Sequence, residues 1–355
     1  MKYSIKNIVA LLLIPQIIVV KWLGSYPELI ERYYSTGIYP IISGFWRILL
    51  GWIPFSIGDI LYVLLTLMAI GYIIMNRVAI KDRPLLFLRD IAMVGSIAYL
   101  SFHLLWGFNY YREPLSKTLG LPEKHSQQDL VDFVDRLITR TNEIHFQISG
   151  NIDSMVRIPY TKKKIFDLTL EGYRSMEKQF PIFTYRHPSI KKSLLSTPLT
   201  YMGYGGYLNP FTNEAQTNAR LPNFRFPVIS GHEIGHQLGY SAENETNFIG
   251  YLVTVGNSDP YFQYSGYAYA LSYCLSELAR RDKALFDRKY DQLNPGVRKS
   301  YKEVADFWEA HKNPLEPVFK SIFNSFLKAN NQAQGIKSYH GVVSLLVTYY
   351  SDRPL

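Results

Sequence analysis

Apolar residues crowd the first third of the chain into long runs, and beyond it they thin into helical stripes. "NIVALLLIPQIIVV" lies between Lys6 and Lys21, "ILYVLLTLMAIGYIIMN" between Asp59 and Arg77, and "IAMVGSIAYLSFHLLWGFNYY" between Asp90 and Arg112. The second and third carry no charge and come close to the roughly 20 residues a helix needs to cross a hydrocarbon core. The first is shorter and holds Pro15, but Trp22 and Leu23 extend it and Lys21 can snorkel. Its basic start (Lys2, Lys6) also suits a signal peptide. No small-x-small cleavage site follows, so it reads as an uncleaved first span. Residues 41–55, "IISGFWRILLGWIPF", contain Arg47 and Pro54 and read as an interfacial or re-entrant element. His103, inside the third run, reads as facing a partner helix.

The basic residues orient these spans. Lys2 and Lys6 precede the first run, and Arg77, Lys81, Arg83 and Arg89 fill the second connection, against only Arg32 and Arg47 in the first. The positive-inside rule puts the amino terminus and the second connection in the cytoplasm, and everything after Tyr111 on the far side. The expected organisation is a membrane domain, 1–111, with about three transmembrane helices, and an extracytoplasmic domain, 112–355. That describes a multi-pass inner-membrane protein whose first partner is the lipid bilayer.

From Arg112 onward the pattern is helical and soluble. Ser126 reads as the N-cap of "SQQDLVDFVDRLITRTNEIHFQI", and "TKKKIFDLTLEGYRSMEKQF" has the same period. "PLTYMGYGGYLNPFTNEAQTNAR" is rich in Gly, Tyr, Asn and Pro, which predicts turns and short strands. Helices are expected again around 231–252, 267–293, 297–311, 314–330 and in "SYHGVVSLLVTYY". The fold class is mainly α, with an α-rich (α+β) second domain carrying a small β element.

Composition removes several functions. Cys274 is the only cysteine, which excludes an internal disulfide and any cysteine-rich zinc cluster, so a metal here needs histidines and carboxylates. The net charge of +9 comes from scattered Lys and Arg, with no basic block interleaved with aromatics, so no nucleic-acid partner is expected.

The chemistry concentrates in "GHEIGHQLGYSAENETNFIGYL", residues 231–252. His232 and His236 are one helical turn apart and can reach one ion, with Glu233 beside them to take a proton from water. Such an H-E-x-x-H pattern arises by chance on the order of once in a hundred chains of this length. Zinc accepts imidazole nitrogen and needs a third ligand, for which Glu243 and Glu245 are available. Glu243 is favoured, because Asn247 follows four residues later on its face. The Asn247 amide can hold the far nitrogen of a ligand histidine, and Gly250 on that face permits close helix approach.

This pairing resembles the gluzincin class of zinc metallopeptidases, in which an HExxH helix is followed by Glu-x-x-(small)-(Asp/Asn). Glu243, Thr246 and Asn247 match the second motif, although only six residues separate His236 from Glu243, fewer than in most gluzincins. Gly239 is similar to the glycine of metzincins, but Ala242 stands where their third histidine would fall. Over nearly its full length the chain also resembles a family of bacterial membrane proteins with a domain of unknown function, through "WGFNYYREPL", "GYLNPFTNEAQTN" and the HExxHQ helix. These resemblances imply a zincin-like domain that hydrolyses peptide bonds in a peptide or protein substrate, with Zn2+ on His232, His236 and Glu243. In that scheme Glu233 is the catalytic base. The segment 203–219 reads equally as an edge strand that pairs with extended peptide and as a hairpin under the HExxH helix, and Tyr201, Tyr204, Tyr339 or His340 would stabilise the oxyanion. The alternative is a non-catalytic zinc-binding scaffold or sensor, which would need a fourth protein ligand. A transporter accessory fits poorly, since the spans carry few ionisable groups.

Overall fold

Four long helices build the first third of the chain: α1 (Ile5–Leu23), α2 (Tyr39–Leu50), α3 (Ile57–Met75) and α4 (Pro84–Leu105). The computed structural model describes residues 4–122 and 124–355, so Lys2 lies outside it. Helices α1, α3 and α4, of 19, 19 and 22 residues, are long and apolar enough to cross a membrane. Only 6, 11 and 6% of their most apolar stretches are buried, so most of their apolar side chains face outward. Helix α1 breaks at Leu12, beside the Leu11 carbonyl that the missing N–H of Pro15 leaves without its helical donor.

Residues 41–55 present Ile41, Phe45, Ile48 and Trp52 outward and Arg47 inward. A π-helix at Ile30–Ile38 leads into α2, and Arg47 turns inward, 7% exposed, rather than toward a headgroup layer. Its guanidinium donates to the Arg186 carbonyl (2.7 Å) and lies over the Tyr185 ring.

The remainder follows the sequence reading closely. Helix α5 (Gln127–Ser149) opens on Ser126 in a reciprocal capping box with Asp129, and α6 (Lys162–Glu177) on Thr161. Three short strands follow: β1 (Ile190–Lys192), β2 (Gly206–Asn209) and β3 (Glu214–Thr217). β3 is central, parallel to β1 and antiparallel to β2, with Leu208 opposite Ala215. Helices α7 (Phe226–Gln237), α8 (Glu243–Val255), α9 (Pro260–Arg281), α10 (Pro295–Glu309), α11 (Glu316–Ala329) and α12 (Val342–Tyr349) complete the chain. The segment expected as one helix over 267–293 divides at Asp282, whose carboxylate accepts from the Leu285 amide and starts a new helix. With 70% of residues helical and 3% in strands, the molecule is mostly α. Its main core gathers α5, α8, α9 and α12 around Phe248, Tyr251 and Leu271.

Two carboxylates join the sheet to α3. Glu214 of β3 accepts from the Ile57 and Gly58 amides (3.2 and 2.5 Å) at the positive end of the α3 dipole, and it also pairs with buried Lys191. In return Asp59 of α3 accepts from Leu194 N (2.7 Å), Ser193 Oγ (3.0 Å) and the Tyr207 hydroxyl. Acids at a helix start satisfy orphan amides, which ties an outward-facing apolar helix rigidly to the sheet beneath the site.

Candidate metal centre

Helix α7 is buried along nearly its whole length, and Pro227 in its first turn needs no donor there. It ends where Gly239 adopts φ 86° and the Tyr240 amide returns to the Gly235 carbonyl (3.2 Å). Its last carbonyls are met from the first third of the chain. Trp106 Nε1 donates to His236 O (3.0 Å), the Tyr39 hydroxyl to Gln237 O (2.8 Å), and Arg112 to Gly239 O (3.0 Å). Helix α8 crosses α7 at glycine against glycine: a Cβ on Gly231 would stand 3.0 Å from Gly250 Cα, and one on Gly250 2.6 Å from Val228 O. Only paired glycines let two backbones come this close, and Gly250 is the position read from the sequence for that purpose.

That approach brings the first turn of α8 onto the histidines. Glu243 Oε2 lies 3.3 Å from His232 Nε2 and 3.7 Å from His236 Nε2. His232 Nδ1 faces Asn247 Oδ1 (2.9 Å), which also accepts from the Tyr269 hydroxyl (2.6 Å). His236 Nδ1 faces the Tyr240 carbonyl (2.7 Å). With both acceptors at Nδ1, each ring in its neutral form carries its proton there and turns a bare Nε2 lone pair inward. Three acceptors, two imidazole and one carboxylate, therefore point at one place. Donor atoms of His232, Glu233 and His236 fall within 4.8 Å of one another. The Oε2 atoms of Glu233 and Glu243 are buried with no hydrogen-bond partner among the described residues. A cation between them resolves this crowding, and two nitrogens with one oxygen is a donor set that suits zinc.

The electrostatics agree with that description. Burial pushes the Glu233 carboxyl up to about 7, against the pull of both histidines. Burial acts the same way on Glu243, but there His232 and His236 win and hold it well below the usual carboxylate range. His236 is raised: burial opposes this, and its pairing with Glu243 outweighs burial. The point between the three groups attracts positive charge.

Glu245 faces elsewhere. It accepts from the Leu115 amide (2.6 Å), and burial lifts it to about 7 against that bond and Arg112. Among the tyrosines read as oxyanion donors, Tyr339 lines the cavity together with Glu243, and the Tyr204 hydroxyl donates to the Phe319 carbonyl (3.2 Å). Tyr201 packs on His311, away from the centre, and the His340 side chain lies outside the described ones. His103 sits among Tyr99, Phe102 and Phe108 with Nδ1 on the Tyr99 carbonyl (2.9 Å). Trp106, Tyr39 and Tyr269 support the centre without any spacing signal that marks them. Strand β2 passes over Glu233 so closely that a Cβ on Gly206 would meet Glu233 Oε1 at 2.5 Å. The centre opens into a cavity of about 1090 Å³.

No curated protein and no solved structure matches the chain. A family model described as "Protein of unknown function (DUF3810)" matches residues 34–347, and the chain belongs to that family.

Proposed function

We propose that this is a membrane-anchored zinc metallopeptidase of gluzincin type. The observation that carries the reading is the convergence of His232 Nε2, His236 Nε2 and Glu243 Oε2 on one place beside the unpartnered oxygen of Glu233. Zinc held by those three residues supplies Lewis acidity for a water and for the scissile carbonyl. Glu233 accepts the proton of the water whose oxygen attacks the carbonyl carbon. It then passes that proton to the amide nitrogen as the C–N bond breaks. The Tyr339 hydroxyl, beside Glu243, donates to the developing oxyanion. β2 is an edge strand directly above Glu233, so an extended peptide added along it lies with its backbone at the carboxylate.

The location is an inner membrane with the catalytic centre on the extracytoplasmic side. Lys6 lies 4.0 Å from Asp90 at the base of α4, the end where Arg77, Lys81, Arg83 and Arg89 gather, while the histidines belong to the opposite end. Positive residues favour the cytoplasm, which supports this orientation.

The test uses full-length protein in detergent. Elemental analysis should give about one zinc per chain, lost in Glu243→Ala and kept in Glu233→Gln. Glu233→Gln should abolish cleavage of a quenched fluorescent peptide library. Full turnover by that variant refutes the mechanism, and zinc binding without turnover in the wild type leaves a scaffold or sensor.

A further inference from the structure

The cavity does not end at the metal centre. From His232 and Glu233 it runs down between α3 and α4, past Tyr62 on one side and Gly95, Ala98, Tyr99 and Phe102 on the other. Gly95 is ten residues from Leu105, so the cavity descends about 15 Å along α4. That is roughly half of a 30 Å hydrocarbon core. The two helices part here because they meet only lower down. The Tyr72 hydroxyl bonds Asp90 (2.8 Å), and the Tyr72 ring stacks on Phe87. The result is a wedge, closed at its base and open toward the histidines.

The upper lip of the wedge is α11. Phe319, Ile322 and Phe323 line the cavity, and Ile322, at the rim, is 63% exposed, whereas Val318 stands 52% exposed on the outer side. Phe326 packs on Phe102, and Lys21 Nζ donates to the Ala329 carbonyl (2.6 Å), which holds α11 across the ends of α1 and α4. A helix apolar toward both cavity and exterior, seated at the ends of two spanning helices, lies at the headgroup level of a bilayer. The polar groups of the cavity gather at the histidine end, and the walls of the wedge are aromatic and aliphatic.

Resting on the peptidase reading, we propose that the substrate is a lipid-tailed peptide: its acyl chain occupies the wedge between α3 and α4 while its peptide head lies at Glu233. The closed base selects this occupant. A spanning helix must run past Tyr72 and Asp90 to the other leaflet, and the wedge stops above them. An acyl chain ends within one leaflet, which is the depth the cavity offers. A soluble peptide would leave the apolar walls unmatched.

The probe is a palmitoylated hexapeptide with a diazirine halfway along the acyl chain. It is photolysed with full-length Glu233→Gln protein in phosphatidylcholine nanodiscs, and the labelled residues are mapped by mass spectrometry. Label is expected on Tyr62, Gly95, Ala98, Tyr99 and Phe102. It should be lost in Ala98→Trp, which fills the wedge, and retained in Ile97→Trp, which points outward on the same helix. Label spread over outward residues such as Ile14 and Ile18, untouched by Ala98→Trp, overturns the proposal. So does competition by a peptide bearing a spanning helix but not by unlabelled palmitoyl peptide. Labelling needs no turnover, so a filled wedge in a protein that cuts nothing removes the peptidase reading alone. Equal cleavage of tailed and untailed peptides by wild type, with no label in the wedge, removes this inference alone.

Discussion

Asn247 offers a sharp test of how the metal centre is built. Its Oδ1 is the one side-chain acceptor that holds the His232 ring, while its Nδ2 is buried with no partner among the described residues. Asn247→Ala removes the oxygen and leaves His232 Nδ1–H facing a void, so the ring can rotate and its tautomer is no longer imposed. Loss of such an outer partner weakens metal binding by about 10–100-fold, equivalent to about 1.4–2.7 kcal/mol. A separate cost of about 1–3 kcal/mol falls on folding, because the Tyr269 hydroxyl also loses its acceptor. The two are separable: zinc affinity is read by competition with a fluorescent chelator on full-length protein, and folding by the thermal midpoint of the same samples. Asn247→Asp should keep or tighten binding, since only the unpartnered amide nitrogen is replaced. Glu245→Ala should leave affinity unchanged, because that carboxylate faces Leu115. A folded Asn247→Ala protein with wild-type zinc affinity refutes the reasoning.

Two further outcomes follow from buried charge. Glu214→Ala strands the Lys191 ammonium, 3% exposed, and frees the α3 amides, so it should destabilise by about 3–5 kcal/mol in denaturant titration. Lys191→Met with Glu214→Ala should recover part of that loss, and a double variant worse than the single one contradicts the pairing. Burial lowers the Lys162 pKa from 10.5 to about 8, so between those values the unfolded chain binds a proton that the folded one has released. Wild-type stability should therefore rise relative to Lys162→Met from pH 8 to 10.5, by at most about 3 kcal/mol over the interval. A constant difference across that interval shows that Lys162 is not desolvated.

What could be read in advance was local. The apolar runs, the Ser126 cap and the glycine at 250 each announce themselves within one or two turns of chain. Which glutamate lies beside the histidines was legible too. Residues two apart on a helix diverge by about 200°, so only one of Glu243 and Glu245 can share the face of Asn247. The supports of the centre were not legible, because each arrives from far along the chain. Trp106 and Tyr39 reach α7 across 130 and 198 residues. The partners of Arg47 were hidden for a related reason: periodicity shows that a charge interrupts an apolar face, not that a carbonyl and a tyrosine ring wait to receive it. The wedge is likewise invisible, since it depends on where α3 and α4 fail to touch.

The borrowed donors at the end of α7 bear on biogenesis. Tyr39, Trp106 and Arg112 are all synthesised well over a hundred residues before the carbonyls they satisfy. In a nascent chain the apolar helices emerge first, and the histidine helix can finish folding only against a scaffold already in place. A centre assembled in this order is incomplete for as long as those donors are unseated. The order of synthesis itself therefore makes the finished His232–His236–Glu243 cluster one of the last parts of the molecule to form.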